Sequence, residues 1–168
     1  MLAEAMAEAG AGFQDLDRIG VTVGPGSFTG LRVGLAFAKG LAIARGVPCV
    51  GIGVLEALAA SVDGLGPVVA AVDARREQLY LQIFADDRTS SGPRAIAIED
   101  IRLHDASPDV TVVGSGAPLL RAAFPNARLL PLAAPDPVAV ARLAAAADPA
   151  QAPPRPDYLR APDARLPA

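Results

Sequence analysis

Val21-Thr22-Val23-Gly24-Pro25-Gly26-Ser27-Phe28-Thr29-Gly30-Leu31-Arg32 is the stretch from which the fold can be read. Ile19, Val21 and Val23 alternate with smaller or polar residues, which predicts a strand over Arg18 to Val23. The Gly/Pro run from Gly24 to Gly30 reads as a tight loop, and Leu31 to Arg45 as a helix stopped by Gly46 and Pro48. A strand, a glycine turn and a helix bring backbone N–H groups together at a helix N-terminus, where the partial positive charge favours an anion. Gly24, Gly26, Ser27, Thr29, Gly30 and Arg32 are therefore the candidate phosphate or nucleotide contacts, with Ser27 or Thr29 also able to cap the helix. Two phosphate patterns fail, however. Leu31 stands where the Walker motif needs lysine, and Gly30 comes one position late for a dinucleotide fingerprint. The competing reading is a tight turn with capping hydroxyls.

The helix after the loop is apolar almost all round. Val33, Phe37 and Leu41 form one stripe, and Leu35, Ala38, Ala42 and Ile43 fill most of the rest. Such a helix is buried on more than one side: either it lies between a sheet and another helix of the chain, or one face meets a partner. The internal position is the ordinary reading from sequence alone.

Outward from this unit, Leu2 to Ala9 reads as a short amphipathic helix, Pro48 to Ile52 as a strand and Val54 to Ala60 as a short helix. Asp63-Gly64-Leu65-Gly66-Pro67 separates residues 1–63, an N-terminal lobe, from 67–133, a hairpin-rich lobe. There, Val68 to Val72 and Gln78 to Phe84 make a hairpin around the charged turn Asp73 to Glu77. Weaker strands are expected at Arg94 to Ile98, Val110 to Val113 and Ala127 to Leu130, with a short helix at Pro118 to Ala123. Asp136-Pro137 marks a helix start, Asp as N-cap and Pro at the first helical position, for a helix over 136–147. Residues 148–168 are Pro-rich and expected to be irregular. Strands alternating with helices, plus a hairpin region, predict an α/β fold with mixed sheets.

Composition excludes several functions. The 168 residues are 52% hydrophobic, but 36 of them are alanine, so the interior is built from small side chains. No stretch of about 18 apolar residues escapes a charge or a Pro/Gly break, and no basic segment precedes an apolar one at the start; neither a membrane span nor a secretory leader is expected. One Cys excludes an internal disulfide, and one Cys with one His argues against a Cys/His zinc site. A net charge of −3 argues against binding nucleic acid alone by electrostatics.

Longer strings then resemble a known family. Gly24 to Gly34, Ala38-Lys39-Gly40-Leu41-Ala42 and Pro48 to Ala59 are similar to the TsaB (YeaZ) family of bacterial tRNA threonylcarbamoyladenosine biosynthesis. Val72 to Tyr80, Val113-Gly114-Ser115-Gly116 and Pro156-Asp157-Tyr158-Leu159-Arg160 match in the same order. The resemblance implies an actin/sugar-kinase/Hsp70-like, ribonuclease H-like fold of two lobes. It also implies a non-catalytic dimerisation subunit, located in the cytoplasm, of the complex that puts threonylcarbamoyl on N6 of adenosine 37 in tRNAs reading A-starting codons. The implied partners are a catalytic, metal- and nucleotide-binding paralogue (TsaD-type) and a small ATPase (TsaE-type). Contact with tRNA comes only through the complex, and a homodimer is the option when the paralogue is absent. The chain itself would hold no metal and no cofactor of its own, with ATP or ADP near the partner interface left open. The paralogue's metal helix carries His-x-x-x-His, and this sequence has a single histidine. By the same resemblance, Leu2, Met6, Val33, Phe37 and Leu41 are the candidate partner interface, and Asp73, Arg75 and Tyr80 form a hairpin motif of undefined role.

The family's opening strand, reading like Ile-Leu-Ala-Ile-Asp-Thr, and the two strands after it have no counterpart here. The expectation is a truncated or mis-started chain with an incomplete N-lobe, in which the strand over 18–23 exposes an apolar edge. Other residues draw ordinary readings. Cys49 is a small core hydrophobe, His104 a solvated surface residue and Lys39 a snorkelling side chain. Ser27 has no base placed to make it a nucleophile. The alternative function is an autonomous kinase or ATPase working through the glycine loop.

Overall fold

A computed structural model describes residues 2–64, 66–86, 90–101 and 110–160. The expected surface residue His104 lies outside these. Helix α1 (Leu2–Glu8) leads through a 3-10 turn at Phe13–Asp15 to strand β1 (Ile19–Gly24). Helix α2 (Phe28–Arg45), strand β2 (Cys49–Gly53) and helix α3 (Val54–Ala60) follow. β1 and β2 pair in parallel, from Ile19 opposite Cys49 to Gly24 opposite Gly53, with α2 as the crossover. Among the described residues β2 is the one strand beside β1, and an apolar groove of 610 Å³ runs between β1 and the last helix.

The second sheet contains β3 (Val68–Arg75), β4 (Gln78–Phe84), β5 (Arg94–Ala97), β6 (Thr111–Val113) and β7 (Arg128–Leu130). Its order is β5-β4-β3-β6-β7, antiparallel on the β4 side of β3 and parallel on the β6 side. One face buries Val69, Leu79, Leu81, Val112, Leu120 and Phe124; the other buries Val68, Ala70, Phe84 and Val113 against Leu55 and Leu58 of α3. The period-2 alternation of β4 is visible in this split. α3 also contributes Ala57 to a third cluster with Val50, Ile52 and Ala144, so this seven-residue helix is wedged between the two sheets.

The last helix, α4 (Pro137–Ala146), starts as its sequence predicts, with the Asp136 carboxylate accepting the Val138 N–H at 2.9 Å. It lies against β1 and β2 so closely that a Cβ on Gly20 would sit 2.5 Å from that of Ala144. Its C-terminal carbonyls are held from the strand side: the Arg18 guanidinium donates to Ala144 at 2.7 Å and to Ala145 at 3.1 Å, and also to Ala147. A cation at a helix C-terminus meets both the free carbonyls and the dipole. Arg18→Met keeps the apolar stem and removes the bonds; it is expected to cost about 2 kcal/mol, read as a fall in Tm of roughly 4–8 °C by calorimetry.

The observed packing corrects the expectation for α2. Its buried stripe is Leu31, Leu35, Ala38 and Ala42, and the helix is not enclosed between two layers. Val33 and Phe37 are 65% and 62% exposed, and Ile43 is exposed too. α2 also begins three residues earlier than periodicity suggested, because Ser27 caps it and Phe28 forms its first turn. The expected helix at 118–123 is a 3-10 turn at Ala117–Leu120. Cys49 is only half-buried; burial still pushes its thiol up from the ordinary value, partly offset by Lys39.

Candidate functional site

The glycine loop opens onto a cleft of 630 Å³ between the sheets. Three separate segments line it: Pro25–Phe28 from the loop, Val72–Arg75 with Tyr80 from the β3–β4 hairpin, and Asp157–Arg160. The cleft thus gathers Gly26 and Ser27 with the whole hairpin motif Asp73, Arg75 and Tyr80, two groups that the sequence presented as unrelated.

Each candidate has a definite place. Ser27 is the N-cap of α2, its hydroxyl accepting the Gly30 N–H at 3.3 Å. Gly24 sits behind the loop at φ +119°, where a Cβ would lie 2.7 Å from the carbonyl oxygen of Asp157; only glycine fits that approach. Thr29 and Gly30 belong to the first turn of α2 and do not line the cleft. Arg32 does not itself line the cleft but stacks beside it: its guanidinium carbon lies 3.7 Å over the Phe28 ring and its Nε–H donates to the Tyr158 hydroxyl at 3.2 Å. Phe28 and Tyr158 are tilted ring neighbours at 5.2 Å. Such cation–π and ring contacts at the surface are worth about 0.5–1.5 kcal/mol each.

The hairpin side is unusually strained. Arg75, Arg76 and Glu77 all have left-handed backbone, at φ 62°, 53° and 58°. Arg76 and Glu77 form a two-residue turn of the type that prefers Asn-Gly, and the register shifts between Asp73 and Arg75. The Asp73 carboxylate accepts the Arg75 N–H at 2.7 Å and pairs with its guanidinium at 3.3 Å. The Asp73 N–H donates to the Ser115 hydroxyl at 3.1 Å, tying the Gly114-Ser115-Gly116 motif to the cleft wall. Glu77→Gly is expected to stabilise the chain by about 1 kcal/mol, seen as a higher urea midpoint with unchanged slope.

Sequence reasoning did not name Phe28, Asp157, Tyr158 and Arg160 as site residues. Arg160 donates to the Ala74 carbonyl and to Gln78 Oε1, both at 3.2 Å. The signal for Asp157, Tyr158 and Arg160 in the sequence is the Pro156–Arg160 string, whose place in space no local rule gives. Of the candidate interface residues, Val33 and Phe37 are exposed on α2, Leu41 and Met6 are half-buried, and Leu2 is exposed on α1. Among the described residues no group of three His, Cys, Asp or Glu side chains is arranged to hold a metal, and no helix is long and apolar enough to cross a membrane.

The comparisons with known proteins agree with one another. Residues 1–165 match the family described as TsaD: tRNA N6-adenosine threonylcarbamoyltransferase. An uncharacterized protein of Mycobacterium tuberculosis H37Rv is 37% identical over 163 residues, 96% of this chain and 72% of that protein. The tRNA threonylcarbamoyladenosine biosynthesis protein TsaB of Haemophilus influenzae is 37% identical over 94 residues, 54% of this chain and 40% of that protein. Among solved structures, YeaZ from Pseudomonas aeruginosa superposes with a TM-score of 0.74 at 25% identity, covering 95% of this chain and 81% of that one. The architecture is accordingly the actin-like, ribonuclease H-like α/β fold with mixed sheets. The chain belongs to the TsaD-type tRNA N6-adenosine threonylcarbamoyltransferase family, on its TsaB/YeaZ branch.

Proposed function

We propose that this chain is a non-catalytic scaffold subunit that presents the outer face of α2 to the catalytic, metal- and nucleotide-binding paralogue. Family membership ties the chain to threonylcarbamoyladenosine modification of tRNA. The finer role is transfer of threonylcarbamoyl to N6 of adenosine 37, performed on the paralogue, with this chain completing the assembly on which a small ATPase docks. tRNA is met through the complex.

The observation that supports this reading is the exposed stripe of α2. Val33 and Phe37 stand in solvent, flanked by Gly30, Gly34 and Gly40. A Cβ on Gly34 or Gly40 would meet nothing within 4 Å, so this side of the helix is open. Large apolar side chains grouped on a smooth, uncharged helix face are costly to leave wet and suit a partner's surface. A second copy of the chain is expected to cover the same face when the paralogue is absent.

The test is co-purification with the TsaD-type paralogue, followed by assay of threonylcarbamoyladenosine formation with and without this chain. A stoichiometric complex with formation dependent on it is expected. Absence of association overturns the reading. So does ATP hydrolysis by the purified chain alone that Arg32→Ala abolishes, which instead favours an autonomous phosphate-handling enzyme.

A further inference from the structure

We propose that residues 157–160 act as a strap across the cleft, holding the first turns of α2 in register with the β3–β4 hairpin. Three of its four residues each fasten a different element. The Asp157 N–H donates to the Val23 carbonyl at 2.7 Å, fixing one end to β1 at the mouth of the glycine loop. Tyr158 places its ring on Phe28 and its hydroxyl on Arg32, both in the first two turns of α2. Arg160 fixes the other end to the hairpin through Ala74 and Gln78. The hairpin tip is itself anchored by the Ile98 N–H donating to the Glu77 carbonyl at 2.9 Å.

The beginning of α2 depends on these contacts because its own core anchors start late. Leu31 is its first buried residue, while Phe28 and Arg32 are exposed and touch the strap. The strap therefore positions the helix whose outer face carries Val33 and Phe37, and the consequence for partner docking rests on the scaffold reading above. Tyr158 also forms a wall of the cleft.

Hydrogen exchange by mass spectrometry on the full 168-residue chain tests this without any partner. The readout is the first hydrogen-bonded amides of α2, residues 31–35, beginning with Leu31, which donates to the Ser27 carbonyl. Tyr158→Ala and Arg160→Met are each expected to speed exchange there at least tenfold, with residues 111–113 of β6 unchanged. The Arg160 variant decides the matter, since a purely local role confines its effect to residues 73–80, and that result overturns the strap. Acceleration spread evenly over both sheets overturns it as well. If Tyr158→Ala does not fold, Tyr158→Phe is read in the same way, with about threefold acceleration expected and no change counting against the proposal. Loss of pairing by an α2 surface variant with normal exchange at 31–35 concerns only the scaffold reading, so the two ideas fail separately.

Discussion

Phe37→Glu is expected to weaken association with the catalytic paralogue by at least about 100-fold while leaving the isolated chain as stable as before. Phe37 is 62% exposed and has no part in the three core clusters, so its loss opens no cavity. Glutamate is also a slightly better helix former than phenylalanine, and surface changes of this kind stay within about 0.5 kcal/mol. On the scaffold reading proposed above, the same change removes an aromatic anchor and puts a carboxylate where the docked face must be desolvated. A factor of 100 corresponds to about 2.7 kcal/mol, modest for a central aromatic. Calorimetric titration against the paralogue, beside a melting curve of the chain alone, separates the two effects. Unchanged affinity would remove α2 as the docking face; a large fall in Tm would mean that Phe37 is internal after all.

Gly114→Ala should have the largest effect on folding. Gly114 follows β6 at φ +111°, in the region that L side chains rarely adopt. A Cβ there would lie 2.2 Å from the Ala71 carbonyl oxygen and 3.1 Å from Leu58 Cδ1. The first obstacle is backbone of the central strand β3, which cannot move without disturbing its pairing with β4 and β6. Backbone strain of about 1–3 kcal/mol adds to overpacking of similar size, for a total of roughly 4 kcal/mol. A domain whose whole stability is about 5–15 kcal/mol has little margin for that. The expected result is a Tm lower by roughly 8–16 °C, or failure to fold at 37 °C. A loss below about 1 kcal/mol would show that the Gly114–Ser115–Gly116 turn can swing away from β3.

Much of the architecture was readable from local signals. The Gly/Pro loop, the Asp136-Pro137 start and the alternation of Leu79 and Leu81 against Phe84 each have a short-range physical cause, and the corresponding elements are present. The orientation of α2 was not readable. Leu31, Leu35, Ala38 and Ala42 make as good a stripe as Val33, Phe37 and Leu41, and a helix apolar on every side gives periodicity nothing to choose between. The cleft was legible only in pieces. Its three segments lie at 25–28, 72–80 and 157–160, and only the topology, with α3 wedged between the sheets, brings them together. The aromatic and guanidinium cluster of Phe28, Arg32 and Tyr158 spans more than a hundred residues of sequence, beyond any local rule.

The late segment that closes over β1 and β2 sets a schedule for synthesis. Gly51 donates to the Ala152 carbonyl, Val23 accepts from Asp157, and Gly20 packs on Ala144. β1 and β2 are therefore made early and covered last. At ribosomal speeds of about 5–20 residues per second, roughly five to twenty seconds separate emergence of residue 53 from that of residue 157. During that interval the nascent chain carries a small apolar parallel pair packed on α2 but still lacking α4 and the segment after it. Chaperone occupancy, rather than final stability, is the quantity that should respond first to slowing translation in that window.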